Sequence, residues 1–416
     1  MKSTIVCHLG ARGHYSVANA VERHGCLLRL FTDACSTRGL PKLIRNVPRR
    51  LQPNVVKRLM GRTPDAIPPE KIECDTWLGI QYSLALYRAI SETDRLKLNC
   101  DFGRKFAIRV ARKIPDSTQT IYAMNTECLE LFRVAKSRGI RLVLEQTMAS
   151  AAVTQATLAA HSLNYPQWAV KLGDYQASGI IDREQEEWEL ADRIVCGSDY
   201  VAKSIQSAGG PFGKCVVVPY GTRSESFVPR LERKDQESRD GFLRVLTVGS
   251  LCFRKGTHVI LEAASKLVGQ ATFRLVGPGT LPSSALSSLP PNVELTGQCP
   301  RSEIQNHFAW ADVFLLPSLC EGSAMVTYEA LLMGLPVICT PNTGSIITDS
   351  KDGFLVPTGC VESIIERIER LSNSPDVVNA MSTAAISKRS FIDITSFDHR
   401  ILSAICSWCF VLISTW

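Results

Sequence analysis

The sequence predicts an α/β protein built from two doubly wound domains, each a parallel sheet with helices on both faces. Three observations carry this. At 416 residues the chain is too long for one ordinary core and suits two of roughly 200 residues each. Short apolar runs bounded by Gly, Pro or Asn alternate with segments whose apolar residues recur at helical spacing, the pattern of strand-helix-strand units. Between the halves, PRLERKDQESRDG at 229–241 is charged and has no helical apolar stripe, so it reads as a linker. The predicted units are 1–228, 242–390 and an apolar end segment, 391–416.

In the first unit STIVCHLG, CLLRLFT, TIYAM, IRLVLEQ, RIVCGS and CVVVPYG read as strands, with ECLELFRVAKSR and DYVAKSIQSA among the intervening helices. A mostly helical insertion occupies about 38–113. In the second unit FLRVLTVGS, ATFRLVG, NVELTG, VFLLP, PVICTP and GFLVP are strands. THVILEAASKLV, SEIQNHFAWA, TYEALLMG and VESIIERIERLS are helices. Two such sheets with their carboxyl ends facing make one deep cleft.

Composition narrows the function classes. Hydrophobic residues at 45% and charged residues at 21% describe a globular protein. No stretch reaches the about 18 uncharged apolar residues of a spanning helix. The start, MKSTIVCHLGARGH, runs at once into Gly10, Arg12 and Gly13 and reads as a strand and its turn, which predicts a cytoplasmic protein. The fifteen cysteines are scattered and odd in number, as reduced thiols are. Cys406 and Cys409 form a lone CxxC without the second pair that a zinc ribbon needs, so no metal is predicted.

The net charge of +7 is unevenly placed. No acid lies between Ser36 and Pro64, whereas Arg38, Lys42, Arg45, Arg49, Arg50, Lys57, Arg58 and Arg62 do. This segment, 38–62, and the cationic amphipathic run FGRKFAIRVARKI at 102–114 are the expected contacts with an anionic membrane surface. A solvated face over a buried apolar stripe is the competing reading. Nucleic acid is not expected, for want of interleaved aromatics or a recognised motif.

The chemistry concentrates in VFLLPSLCEGSAMVTYEALLMGLPVICTPNTGS, residues 313–345. Gly322, Ser323, Ala324, Met325 and Val326 follow a strand and lead into a helix, where open amides and the helix dipole favour phosphate. Glu329, near the helix start, is placed for the vicinal hydroxyls of a ribose, and Glu321 for the other end of such a ligand. Ser323 also reads as a helix N-cap. In LTVGSLCFRKGTHVILEA a strand ends at Gly249 and Ser250, and Arg254 and Lys255 follow on the loop. There they can neutralise a diphosphate and stabilise its departure without a metal.

These stretches, with LVGPG, ADVFLLPS and DGFLVP in the same order, resemble the second domain of retaining glycosyltransferases of the GT-B fold, family 4 type. The glutamate pair matches that family's EX7E motif. REQEEWELADRIVCGSDYVAKSI and VVVPYG resemble the segments closing its first domain, so the likeness covers about 183–372. It implies two Rossmann-like domains and a last helix crossing back to the first. It also implies transfer of a hexose from a nucleotide-diphosphate sugar, which is substrate rather than cofactor, to a saccharide or lipid-linked saccharide. In those roles Arg254 and Lys255 hold the diphosphate, Glu329 the ribose, and Glu321 lies beside the transferred sugar. The chain departs from the pattern in three places. Ser250 stands where many members have arginine, Arg223 stands in PYGTR where aspartate is common, and LEQTMAS lacks the family's cleft histidine. Gly13, His14, Glu145 and Tyr220 are the acceptor-side candidates. A non-catalytic sugar-nucleotide binder and an epimerase or phosphorylase share the same scaffold.

Overall fold

The computed structural model describes residues 3–36, 62–169, 173–229, 242–279 and 281–406. The first sheet contains β1 (Thr4–Cys7), β2 (Leu27–Thr32), β3 (Ile72–Cys74), β4 (Thr120–Met124), β5 (Arg141–Gln146), β6 (Arg193–Cys196) and β7 (Cys215–Val217), in the order β3-β2-β1-β4-β5-β6-β7. The second contains β8 (Leu243–Val248), β9 (Ala271–Val276), β10 (Val293–Gly297), β11 (Val313–Leu316), β12 (Val337–Cys339) and β13 (Gly353–Leu355), in the order β10-β9-β8-β11-β12-β13. Every strand pairing is parallel. The central strands read as unbroken apolar runs because helices cover both faces, and VFLL of β11 is buried throughout.

Strand order positions the site. In the second sheet the winding reverses between β8 and β11, so the loops after these two strands open side by side at its carboxyl edge. In the first sheet the reversal lies between β1 and β4, which sets the turn at Gly13 and His14 on the same kind of edge.

The domains interlock. Leu158 and Trp168, from helices Ala151–Ser162 and Pro166–Ala169, bury in the core of the second domain beside Phe253 and Leu261. Helix Ile394–Cys406 lies on helix Ser16–Arg23, its Phe397, Ile401 and Ile405 joining Val6, Val143 and Val195, and Arg23 meets Asp398 at 2.6 Å. Residues 407–416 of the end segment and 230–241 of the linker lie outside the described residues.

The insertion contains β3, an edge strand of only three residues, before helices Thr76–Arg88 and Glu92–Ala111. The apolar stripe of the cationic run at 102–114 meets the domain core and not a lipid surface: Phe102, Phe106, Ala107 and Val110 are buried against Ile121, Leu131 and Phe132. Its cations are paired across elements, Arg104 with Glu130 at 3.4 Å and Lys113 with Glu73 at 2.6 Å. Of the basic segment 38–62, only Arg62 is described, and it pairs with the buried Asp33 at 2.9 Å. No helix among the described residues is long and apolar enough to cross a membrane.

Candidate functional site

The loop after β8 is a single turn, Phe253–Lys255, closed by Gly256 at φ 73°. A Cβ at Gly256 would sit 2.2 Å from the carbonyl oxygen of Pro317, so only glycine lets this turn rest on the loop after β11. The Leu319 amide donates to the Arg254 carbonyl at 2.8 Å and completes the seat. Arg254 and Lys255 thereby reach Glu321: Nη1 and Nζ lie 2.6 and 2.9 Å from the same oxygen, Oε1. Arg254 Nη1 also donates to the Cys320 carbonyl at 2.8 Å. Burial pushes the Glu321 carboxyl up, but Arg254 and then Lys255 outweigh it and hold the pKa below its ordinary value. A carboxylate with two cations is thus assembled, half-buried, at the switch point of the second sheet.

The loop itself is held from below. Ala324 donates its amide to the Thr343 carbonyl at 3.2 Å, and the Ser323 hydroxyl bonds Tyr328 and the Gly344 carbonyl at 2.8 and 3.1 Å. Two expectations are corrected by this. Ser323 is not an N-cap, because the helix runs Met325–Leu332 and Ala324 precedes it without a side-chain cap. Of the five predicted cradle residues, Ala324 has no amide to offer; those of Met325 and Val326 make no hydrogen bond among the described residues. Gly249 and Ser250 lie on the loop beside Lys255, whose chain passes 3.4 Å from where a Gly249 Cβ would be.

Glu329 lies in the second turn of that helix. Its one side-chain contact among the described residues is Arg301 Nη2, 3.3 Å from Oε1, so most of its hydrogen-bonding capacity is open. Burial raises its pKa, and Arg301 opposes the shift. Arg301 also crosses the cleft, donating from Nη1 to His14 Nε2 at 2.6 Å. Burial first, and then Arg301, lower the His14 pKa. His14 stands in a strained run in which Gly13, His14 and Tyr15 all have positive φ, 55°, 52° and 61°.

Of the other two acceptor-side candidates, Tyr220 packs at the domain contact against the core that holds Ala324 and Tyr328, and Glu145 does not reach the cleft. Glu145 is buried inside the first domain, where the hydroxyls of Tyr122 and Tyr220 donate to it at 2.6 and 2.8 Å. The segment following it does reach the site: Ala149 donates its amide to the Glu321 carbonyl at 3.2 Å, and Ser198 Oγ donates to the Gly322 carbonyl at 2.5 Å.

Sequence reasoning missed Arg301, which has no motif around it, and a buried carboxylate pair. Glu184 accepts from Asn125, Gln146 and the Ala151 amide at 2.9, 2.8 and 2.7 Å, and Glu187 from the Thr126 amide at 2.7 Å. Asn125 in turn accepts from the Thr147 amide at 3.2 Å, so the pair positions the loops that touch Gly322. Their signal was a stripe, Arg183, Glu184, Glu187 and Trp188, within the charged REQEEWEL. Burial pushes both carboxyls up to about 7 from 4.5. Each therefore binds its proton more readily when folded, and the stability this contributes is lost as pH rises through about 7. The thermal midpoint is expected to fall between about pH 6 and pH 8, and less so in Glu184→Gln. An unchanged pH difference in that variant would contradict the assignment.

Among the described residues no three His, Cys, Asp or Glu side chains gather as a metal site. Residues 243–374 match the family model described as glycosyl transferases group 1. The amylovoran biosynthesis glycosyltransferase AmsK of Erwinia amylovora is 30% identical over 209 residues, 46% of this chain and 49% of that protein. An Escherichia coli UDP-Gal:α-D-GlcNAc-diphosphoundecaprenol α-1,3-galactosyltransferase is 29% identical over 186 residues, 41% of this chain and 48% of that protein. The match thus spans about half the length of these curated relatives. The fold is similar to Anabaena HepE in complex with UDP and glucose, with TM-score 0.60 and 15% identity over 98% of this chain and 100% of that one. It is also similar to the sucrose-phosphate synthase of Thermosynechococcus elongatus, with TM-score 0.67 and 16% identity over 97% and 98%. The likeness to glycosyl transferases group 1 thus lies in residues 243–374, in the second domain, and with both sheets arranged as in these structures the chain has the GT-B fold.

Proposed function

We propose that the protein is a retaining hexosyltransferase that moves a sugar from a nucleotide diphosphate to a hydroxyl of a saccharide or lipid-linked saccharide. The observation that carries this reading is the convergence of Arg254 and Lys255 on Glu321 at the switch point of the second sheet. Two cations held in a water-poor cleft offer a diphosphate what a divalent metal otherwise would. As the bond from the anomeric carbon to the diphosphate oxygen breaks, they take up the charge on the leaving group, and Glu321 faces the positive charge on the sugar. Glu329 orients the ribose through its open oxygen. With Glu145 sealed in the first domain and His14 Nε2 engaged by Arg301, the departing diphosphate is the group left to accept the hydroxyl proton. Synthesis of a polysaccharide or glycoconjugate is the context that the relatives' names suggest for this chain.

The test is a thermal-shift panel of UDP, GDP, ADP and their sugars, run in chelator on wild type and Glu329→Ala. UDP heads the panel because it is the nucleotide in the HepE complex. A ligand at a hundredfold its Kd adds about 2.7 kcal/mol of stability. One nucleotide should raise the midpoint of the wild type and leave Glu329→Ala unmoved. Equal shifts in both would remove Glu329 from the donor site, and no shift with any nucleotide would overturn the reading.

A further inference from the structure

Arg301 is the first residue of helix Arg301–Trp310, and the residue before it, Pro300, makes no side-chain cap. A cation at this end opposes the helix dipole, so helix stability does not account for it. Nor does packing, since the side chain is 67% exposed. Both terminal nitrogens are nevertheless committed. Nη2 donates to Glu329 Oε1 at 3.3 Å within the second domain, and Nη1 donates to His14 Nε2 at 2.6 Å across the cleft. A guanidinium cannot accept, so Nε2 carries the lone pair and His14 is neutral, in keeping with its lowered pKa. The turn that presents His14 is itself fixed. The Gly10 amide donates to Asp33 Oδ1 at 2.9 Å, the Tyr15 hydroxyl to the Ala34 carbonyl at 3.2 Å, and Asn19 Nδ2 to the His14 carbonyl at 3.4 Å.

We propose that Arg301 is a positioning residue for the donor site, steered by His14: through these two side chains the first domain holds the Glu329 carboxylate in place for the ribose. This role rests on the donor reading above. A carboxylate offers about four acceptor positions, of which Arg301 takes one and two vicinal hydroxyls take two, so the ribose and Arg301 fit on Glu329 together. The tie to His14 therefore persists when the donor is bound. Burial favours the protonated carboxyl, which would lose acceptor capacity, and Arg301 is the charged group facing Glu329 that opposes this. Around His14 the charged groups are Arg301, Asp65 and Arg223. An exposed ion pair adds little stability, so what Arg301 supplies to Glu329 is orientation, through a planar fork that can hold two partners at once.

The experiment is calorimetric titration of UDP, GDP and ADP into wild type, Arg301→Ala, Arg301→Lys, His14→Ala, His14→Gln, Glu329→Gln and the double variant Arg301→Ala/Glu329→Gln. For the nucleotide that binds, Arg301→Ala should weaken affinity about fivefold, the upper end for an exposed pair, with the melting midpoint of the free protein unchanged. In the Glu329→Gln background the same change should cost less than about twofold, because the partner through which Arg301 acts is gone. Arg301→Lys should not recover the loss, since a point charge does not hold two partners in one geometry. His14→Gln keeps an acceptor for Nη1 and should stay within about twofold of wild type, whereas His14→Ala should lose affinity as Arg301→Ala does. In the free protein the NMR carboxyl signal of Glu329, identified by its loss in Glu329→Gln, should titrate at higher pH in Arg301→Ala than in wild type. That readout needs no nucleotide, and an unmoved titration would overturn the proposal. So would an equal loss of affinity in both backgrounds, which would put Arg301 on the nucleotide itself. A moved titration with no nucleotide bound by wild type would fail the donor reading and take this role with it.

Discussion

Lys255→Ala is expected to lower kcat by about 10²–10³-fold while the protein stays folded and still binds nucleotide. Lys255 is a point charge on a flexible stem that passes the strand end at Gly249, and its Nζ lies 2.9 Å from Glu321. In the ground state that charge is shared with the carboxylate. In the proposed transfer the leaving diphosphate gains negative charge in the same half-buried place, where water would screen it poorly, so the cation would count for more there than in the substrate complex. Arg254 remains in the variant and keeps Glu321 paired at 2.6 Å, which is why folding should survive. Lys255→Arg keeps the charge but replaces a compact ammonium with a planar fork, and only partial recovery is expected. Single-turnover rates with saturating donor, beside a nucleotide thermal shift, make the check. A wild-type kcat in Lys255→Ala would remove the residue from the chemistry.

Gly322→Ala is expected to cost about 10²-fold or more in kcat with little change in melting midpoint. A Cβ at 322 would lie 1.9 Å from the Thr147 carbonyl oxygen and 3.2 Å from Met148 Cα, all backbone of the opposite domain. Nothing flexible is available to move aside. The domains must part along the seam where Ser198 and Ala149 bond the Gly322 and Glu321 carbonyls, and Glu321 shifts with them. The cores around Phe132 and Phe314 lie away from Thr147 and Met148, so most of the stability should hold. A kcat within about threefold of wild type would show that this seam is not the arrangement in which transfer occurs.

Much of this was legible in the chain because it is local. Strand, turn and helix follow one another within a dozen residues in GSLCFRKGTHV and in VFLLPSLCEGSAMVTYEALL, and hydrophobic period reports them directly. β3 was not legible: IEC is three residues, and its partner β2 supplies the reason it is a strand. The run at 102–114 shows the limit of periodicity most clearly. A helix with cations around an apolar stripe looks the same whether the stripe meets lipid or a domain core, and only the packing of Phe102 and Phe106 against Leu131 decides for the core. At 76–90, LGIQYSLALY is apolar on both sides of its helix, and the structure buries one side and leaves the other open.

The sequence by itself determined two parallel-sheet domains, the loop that carries Arg254 and Lys255, and the glutamates after β11, since neighbours in the chain and the strand-to-helix turn account for each. Tertiary structure alone decided which of these groups meet. Arg301 reaches His14 across 287 positions, Tyr122 and Tyr220 seal Glu145 inside the first domain, and Thr147 lies against Gly322. Such contacts depend on how two finished domains face each other, and no period within either one records that.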